Sequence, residues 1–331
     1  MSRTIENWAS LKLDNDPVVL LGNGASRAID NDSFDYPSLL SRAKLRESIQ
    51  NVFASIGESD FEKALRLLEI TKNTNSLIGV EETVTAEHVE EIRSGLINAV
   101  RSIHPTQGVA MSPRQANKAI KFLSNFKSIF TLNYDFFLYW LIQKSRATDE
   151  PTRYFRDWFT GGFFKHDWPE GIYLDRNGLQ CAACYFLHGA LHLIDDPEQK
   201  IILDVLDEAS NQTLIKKVSE VWKGGRRPLF VSEGTWELKE KRIEESKYLR
   251  HAFGQFKQQL NGVDLVIYGA SLSKQDQHLV DAINSAKPKR VFVGIHNPSG
   301  SSDPRLAEWK KKISASPVTF FNATSKGSWI Y

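Results

Sequence analysis

The sequence predicts an α/β protein, a Rossmann-like, doubly wound parallel sheet with a large helical insertion. Short runs rich in β-branched and aromatic residues alternate along the chain with segments of helical periodicity, which is typical of a parallel sheet covered by helices on both faces. Glycine or short polar side chains follow most of these runs directly, as expected where such strands end. We expect a single domain over residues 1–331, with a helical insertion at about 38–126 and an irregular or helical insertion at about 145–260.

The individual elements are predicted in chain order from these patterns. Apolar runs predict strands at residues 17–21, 128–132, 184–187, 229–231, 263–268, 289–295 and 317–321. Apolar residues at helical spacing predict about four helices within residues 36–126, and further helices at 136–142, 239–260, 275–285 and 304–313. Residues 145–183 are predicted to be irregular, and the mixed charges of residues 239–250 are predicted to form a solvated helix face.

The composition excludes several classes of protein. Hydrophobic residues make up 41% and charged residues 25% of the 331 residues, as in soluble globular proteins and unlike disordered or fibrous chains. The 42 basic and 40 acidic residues leave a net charge of +2, so we expect no nucleic-acid binding and no attraction to a membrane surface. No apolar run approaches the roughly 20 residues that cross a bilayer, and the N-terminal residues lack the apolar core of a secretory signal. Two cysteines make no disulfide framework, and we expect a cytoplasmic protein.

Small and polar residues are concentrated after five of the predicted strands. In an open parallel sheet these positions lie together in the crevice where ligands bind. The five segments are Gly22-Asn-Gly-Ala-Ser26, Asn133-Tyr-Asp135, His188-Gly189, Gly269-Ala-Ser271 and His296-Asn297. The sequence therefore predicts one pocket lined by five strand ends.

Each of these segments alone allows a structural and a functional interpretation. Gly22 and Gly24 lack the third glycine of the dinucleotide fingerprint, and they form either a tight turn or a close approach to a pyrophosphate. Asn133 is either a helix cap or a contact with the ligand, and Asp135 has the same structural interpretation as an acid at a helix start. His188 is either a hydrogen-bonded structural residue or a general base near neutral pH.

Taken together, these segments resemble the sirtuin-like superfamily. The resemblance rests on Thr131-Leu-Asn-Tyr-Asp135, Leu187-His-Gly189 and Gly269-Ala-Ser271 with Asp276 and His278, after the initial Gly-Asn-Gly-Ala-Ser. The chain looks most like the bacterial sirtuin-like NAD hydrolases of anti-phage defence. The resemblance follows the strands in order from residue 18 to residue 298, and the long segments between them have no counterpart.

The resemblance implies a role for each matching residue. Asn133 would orient the nicotinamide ribose or a water molecule, His188 would be the catalytic base, and Asp135 would hold the loop at the cofactor. The other implied contacts with the dinucleotide are Gly22, Asn23, Gly24, Ala25 and Ser26 at the phosphates, Gly269 and Ser271 at a phosphate or ribose, and Asn297 at the adenine ribose. The implied reaction is that of an NAD glycohydrolase, in which NAD is the substrate and nicotinamide and ADP-ribose are the products. Its oxocarbenium-like transition state requires no metal, and we expect none.

Two departures from the protein-deacylating sirtuins argue against a deacylase. Those enzymes hold zinc with two Cys-x-x-Cys pairs, whereas Cys181-Ala-Ala-Cys184 supplies only two thiolates. We interpret this pair as two buried cysteines; the alternative is a redox pair or a metal site completed by His166 or His192. The Asp-Phe-Arg expected after the glycine turn is missing, and Tyr36-Pro-Ser38 stands near its place. Water is therefore the expected acceptor.

Three functions remain open at this point. The first is an NAD hydrolase gated by oligomerisation, by a regulatory protein partner or by the insertion at 38–126, because an unrestrained enzyme would exhaust the NAD of its own cell. The second is a non-catalytic module that senses NAD, ADP-ribose or a related nucleotide, and the third is a protein deacylase or ADP-ribosyltransferase. Asp276 and His278 begin a predicted helix, either as a capped, solvated helix start or as residues behind an adenosine site.

Overall fold

The structure of the protein is a computed structural model. It describes residues 5–30, 40–57, 61–103, 111–145, 153–165, 180–194, 228–231 and 235–331, together with residues 59, 199, 200, 218, 220, 221 and 226. Tyr36-Pro-Ser38 and His166, which were singled out above, lie outside the described residues.

Eight parallel strands form the central sheet. In sheet order they are β4 (Tyr154–Arg156), β7 (Cys181–Phe186), β3 (Ser128–Thr131), β2 (Val18–Leu21), β11 (Asp264–Tyr268), β12 (Arg290–Ile295), β13 (Val318–Asn322) and β1 (Ile5–Asn7). From β7 to β13 the strands stand in the chain order third, second, first, fourth, fifth, sixth, which is the order of a Rossmann sheet that binds dinucleotides. The predicted doubly wound parallel α/β fold is confirmed.

The helices lie between these strands in the chain. They are α1 (Asn23–Ile29), α2 (Glu47–Ile56), α3 (Phe61–Leu77), α4 (Thr83–Ile103), α5 (Pro113–Leu123), α6 (Phe137–Ser145), α7 (Trp236–Glu245), α8 (Lys247–Gln259), α9 (Gln277–Ala286) and α10 (Pro304–Lys312), with short 3-10 turns at Trp8–Ser10 and Lys274–Asp276. Four of them, α2 to α5, fall within the predicted helical insertion between β2 and β3.

Residues 145–183, which were expected to be irregular, are not wholly so, because they contribute β5 (Phe159–Thr160) and β6 (Phe163–Phe164) to a second, antiparallel sheet. Its strands are β10 (Pro228–Phe230), β8 (Gly189–Ile194), β9 (Gln199–Lys200), β6 and β5. The same region also contributes β4 to the central sheet. The strand predicted at 229–231 is confirmed as β10. The other strands have two to six residues and depend on partners distant in the chain, so local periodicity does not reveal them.

The helix predicted over residues 239–260 is wrong in two respects. It is two helices, α7 and α8, separated at Ser246, whose side chain accepts a hydrogen bond from the backbone N–H of Leu249 at 3.1 Å and so caps α8. Its charges are not all solvated either, because Lys239 on α7 is completely buried. Local capping by Ser246 sets the first feature, and tertiary packing sets the second.

Candidate functional site

The site lies at the carboxyl edge of the central sheet, where β2 and β11 are neighbours. From β2 the chain continues to β3 and β7 on one side, and from β11 it continues to β12 and β13 on the other. Such a reversal of strand order leaves a crevice beyond the strand ends, which is where open α/β sheets bind ligands. The segments after β2 and β11 are Gly22–Ser26 and Gly269–Ser271, two of the five that the sequence singled out.

The glycines at this junction allow two loop backbones to touch. A Cβ atom added at Gly22 would lie 2.5 Å from the Cα of Ala270, and one added at Gly269 would lie 2.5 Å from the backbone nitrogen of Ala25. The backbone N–H of Gly24 donates to the carbonyl of Gly269 at 2.8 Å, and Gly269 has a φ of +70°, which favours glycine. Contact between the loops therefore accounts for these glycines, and the N–H of Gly24 is used within the protein.

Asn133 is part of a hydrogen-bond network with the β2 loop. Its side-chain Nδ2 donates to the carbonyl of Gly22 at 3.1 Å and to Oγ of Ser26 at 2.9 Å. The hydroxyl of Ser26 in turn donates to Oδ2 of Asp135, and Oδ1 of Asp135 accepts from the backbone N–H of Phe137 at 2.9 Å. Asp135, rather than Asn133, thus caps the start of α6, and the amide of Asn133 is directed at the switch point.

Burial makes the ionised form of Asp135 energetically unfavourable. The side chain is 6% exposed, and burial raises its pKa from 3.8 to about 6 even though the hydrogen bonds from Ser26 and Phe137 lower it. At neutral pH the group is a buried carboxylate whose oxygens accept two hydrogen bonds. Such a group fixes the orientation of its donors, and through Ser26 it fixes Asn133.

His188 lies in the turn between β7 and β8, and its partner is a second histidine. Nε2 of His188 is 3.2 Å from Nε2 of His278, the second residue of α9. The two residues are 2% and 3% exposed. His188 follows β7 and His278 follows β11, and two strands, β3 and β2, lie between them in the sheet. Neighbouring strands are about 4.8 Å apart. The segments that carry the two histidines therefore approach each other over the ends of β2 and β3.

A buried ion pair adjoins the two histidines. Nζ of Lys239 is 3.2 Å from Oδ1 of Asp276, and the Lys239 side chain is 0% exposed. Burial, and after it the positive charge of Lys239, lowers the pKa of His188 well below its usual range and that of His278 to about 4. Both imidazoles are therefore neutral at pH 7. A neutral imidazole is the form that a general base requires.

Asn133 and His188 are connected through Tyr134 and Val231 rather than by a direct contact among the described residues. Val231 donates its N–H to the carbonyl of His188 at 2.8 Å and accepts from the phenolic oxygen of Tyr134 at 2.8 Å. The N–H of Leu191 donates to the carbonyl of Tyr134 at 3.1 Å. The turn that carries His188 is thereby tied to the segment that carries Asn133.

The remaining predicted ligand residues lie after β11 and β12. Ser271 is exposed, and its carbonyl accepts from Nζ of Lys312 at 2.9 Å. Asn297 is exposed with a φ of +43°, and Arg305 donates to its carbonyl at 3.4 Å and to that of His296 at 3.0 Å. Both loops are held by a basic side chain from α10, and their own side chains face solvent.

The two cysteines are buried and form no disulfide. Burial, with a smaller effect from Asp157, raises the pKa of Cys184 well above 9, and a reactive thiol requires the opposite shift. His192 is packed against the rings of Phe136, Tyr139 and Phe186. No group of three or more His, Cys, Asp and Glu side chains in the described ranges could hold a metal ion.

The prediction that Lys239 lies on a solvated helix face is wrong, because Lys239 is completely buried. Of the two interpretations left open for His278, burial excludes the solvated helix start. Asp276 does cap the turn, since its Oδ2 accepts from Ser273 at 3.2 Å. No local pattern marks the burial of Lys239, whereas the position of His278 after a strand-end loop was an available signal.

The family of the chain follows from a comparison over nearly its whole length. Residues 19–329 match the family described as Domain of unknown function (DUF4917). The chain belongs to this DUF4917 family. No curated protein matches it. Within the described residues of this DUF4917 protein, no helix has the length and apolar character that crossing a membrane requires.

Proposed function

We propose that this DUF4917 protein is a cytoplasmic NAD glycohydrolase of sirtuin-like type, which cleaves the bond between nicotinamide and ribose. The observation that carries the proposal is the position of Asn133 and His188 after neighbouring strands, beside the switch point of a Rossmann-ordered sheet. A dinucleotide bound there would cross the junction of the Gly22 and Gly269 loops, with its adenosine half towards β12 and Asn297.

The residue types suit the chemistry. Loss of nicotinamide leaves positive charge on the ribose, as in other glycosyl transfers. In our proposal the amide of Asn133, held by Gly22 and Ser26, positions the ribose or the attacking water, and His188 accepts the proton of that water. The products are nicotinamide and ADP-ribose. We further propose that the activity is gated in the cell, through oligomerisation, a protein partner or the helical insertion, and that it serves anti-phage defence.

The test is to incubate the purified protein with NAD and to resolve the products by chromatography. Asn133→Ala and His188→Ala should each lower nicotinamide release about 100-fold or more, the usual contribution of a positioned acid–base group. Asn125→Ala is the matched control, because Asn125 is an exposed asparagine before β3, at the opposite edge of the sheet from the site, and it should keep the parent rate. Full turnover by both site variants would contradict the site assignment.

One observation favours a second candidate, a sensor that binds NAD or ADP-ribose without cleaving it. His188 is buried, and its Nε2 is engaged by His278, so in this arrangement the nitrogen that would accept a proton is occupied. In that case either ligand would raise the melting temperature while NAD stayed intact. Asn133→Ala should abolish this shift, and His188→Ala should leave most of it.

A further inference from the structure

The contact between His188 and His278 constrains the protons on both rings. The two Nε2 atoms are 3.2 Å apart, and both rings are neutral at pH 7 for the reasons given above. A neutral imidazole has one N–H donor and one acceptor nitrogen, so one Nε2 must donate a hydrogen bond and the other must accept it.

The surroundings of His278 decide which ring donates. Nδ1 of His278 is buried and has no hydrogen-bond partner among the described residues. If His188 were the donor, the proton of His278 would sit on this Nδ1 as an orphaned, buried N–H, and such donors are rarer in proteins than unsatisfied acceptors. His278 therefore carries its proton on Nε2 and donates it to Nε2 of His188. The proton of His188 is then on Nδ1.

We propose that His278 caps His188: it occupies the acceptor nitrogen of the imidazole and holds the site in an inactive state until the contact is broken. This inference rests on the proposed NAD hydrolase, and it identifies a means of gating that site. With Nδ1 protonated and Nε2 occupied, His188 has no lone pair to accept a proton from water. Movement of the first turn of α9 away from β7 frees Nε2.

The charged groups around the cap hold it in place. The ion pair between Lys239 and Asp276 anchors the turn that precedes His278 to α7. The other charged groups that act on His278 are Asp281 on α9 and Lys257 on α8. Because Lys239 is the charge acting most strongly on both rings, protonation does not separate the pair near neutral pH, and the release is a displacement of α7 or α9.

The first test reads the tautomers in the unmodified protein by nitrogen-15 NMR of the imidazole rings. We expect His188 protonated on Nδ1 and His278 protonated on Nε2 at pH 7. The reverse pattern, or two rings that each average over both tautomers, would overturn the cap. This measurement requires neither NAD nor turnover, so it tests whether His278 caps His188 independently of the proposed activity.

The second test compares two substitutions at one position. His278→Ala removes the donor and should raise nicotinamide release about fivefold or more, the effect of one net hydrogen bond. His278→Gln keeps an N–H donor at similar reach and should stay near the parent rate. A folded His278→Ala variant that is no faster than the parent protein would overturn the cap. Absence of nicotinamide from all three proteins would instead count against the hydrolase.

Discussion

The buried carboxylate of Asp135 lies beside the switch point, and its titration predicts how the stability of the protein depends on pH. The pKa of Asp135 is raised from 3.8 to about 6, chiefly by burial. A carboxyl with a higher pKa in the folded than in the unfolded chain contributes stability that is fully present below the unfolded value. That contribution is lost as the pH rises through the folded value, so for Asp135 the loss falls between about pH 4 and pH 6.

Asp135→Asn isolates this effect, because its amide can accept from Phe137 and donate to Ser26 without titrating. We expect the free energy of unfolding of the parent protein, relative to the variant, to fall by roughly 2 kcal/mol between pH 4 and pH 7. Urea unfolding of both proteins across this pH range measures the difference. Stabilities that change with pH in parallel would show that Asp135 does not titrate as described.

Single residues also show which features of the site can be predicted from the sequence and which cannot. The apolar run that ends at Asn-Tyr-Asp was enough to place Asn133 and Asp135 at a strand end, because the run and the polar residues that end it are adjacent in the sequence. The burial of Lys239 and the pairing of His278 with His188 depend on α7 and α9 folding over a strand end far away in the chain. No local pattern carries that information.

At the scale of elements, the contact between the two glycine loops holds β2 and β11 in register. A methyl group at Gly22 would meet the backbone of Ala270, which cannot move aside as a flexible side chain could. Gly22→Ala should therefore lower the free energy of unfolding by about 2 kcal/mol or more.

Gly254→Ala is the control for that substitution. Gly254 lies within α8, is exposed, and has no atom within 4 Å of the added methyl group. Alanine there should stabilise the protein by up to about 1 kcal/mol, since glycine weakens a helix interior. Urea unfolding compares the two variants, and equal effects would contradict the loop contact.

The bounds of elements were predictable where local chemistry sets them. The strands at 128–132 and 263–268 were found to within one residue, because apolar runs end there at polar or glycine stops. The split at Ser246 was missed, although serine is a favoured helix cap, because apolar periodicity continues through it. The short strands β1 and β4 were missed because each depends on a partner strand, β13 or β7.

At the scale of the whole molecule, charged residues at the amino edge of the sheet join the N-terminal segment to the core. Arg290 at the start of β12 contacts Oδ2 of Asp264 at 2.5 Å, and the Asp264 side chain is fully buried. Arg290 also donates to the carbonyl of Lys12 at 3.0 Å. The neighbouring Lys289 pairs with Asp14 in an exposed position.

This arrangement predicts unequal effects of two adjacent substitutions. Arg290→Met leaves the carboxylate of Asp264 buried without its cation and should cost about 3 kcal/mol of stability. Lys289→Met removes an exposed, solvent-screened pair and should change stability much less. Thermal or urea unfolding measures both. Costs of similar size would contradict the distinction between the buried and the exposed pair.

The strand order of the central sheet is the property of the whole molecule that places the proposed site at the switch point. Alternation of strands and helices predicted a doubly wound sheet, and the order from β7 to β13 confirmed it. The sequence placed His188 after a strand, but the antiparallel sheet beyond it could not be predicted, because it depends on pairing between β8 and β10 across a long connection. The fold also brings the segments that follow β7 and β11 together over the ends of β2 and β3, which the sequence does not show.

Hydrogen exchange of the backbone amides with and without ADP-ribose, which the proposed reaction does not consume, shows whether these strand ends form one ligand site. We expect slower exchange in residues 22–26, 132–135, 187–190 and 269–273 together. Protection confined to other parts of the chain, or no protection at saturating ADP-ribose, would contradict a single ligand site.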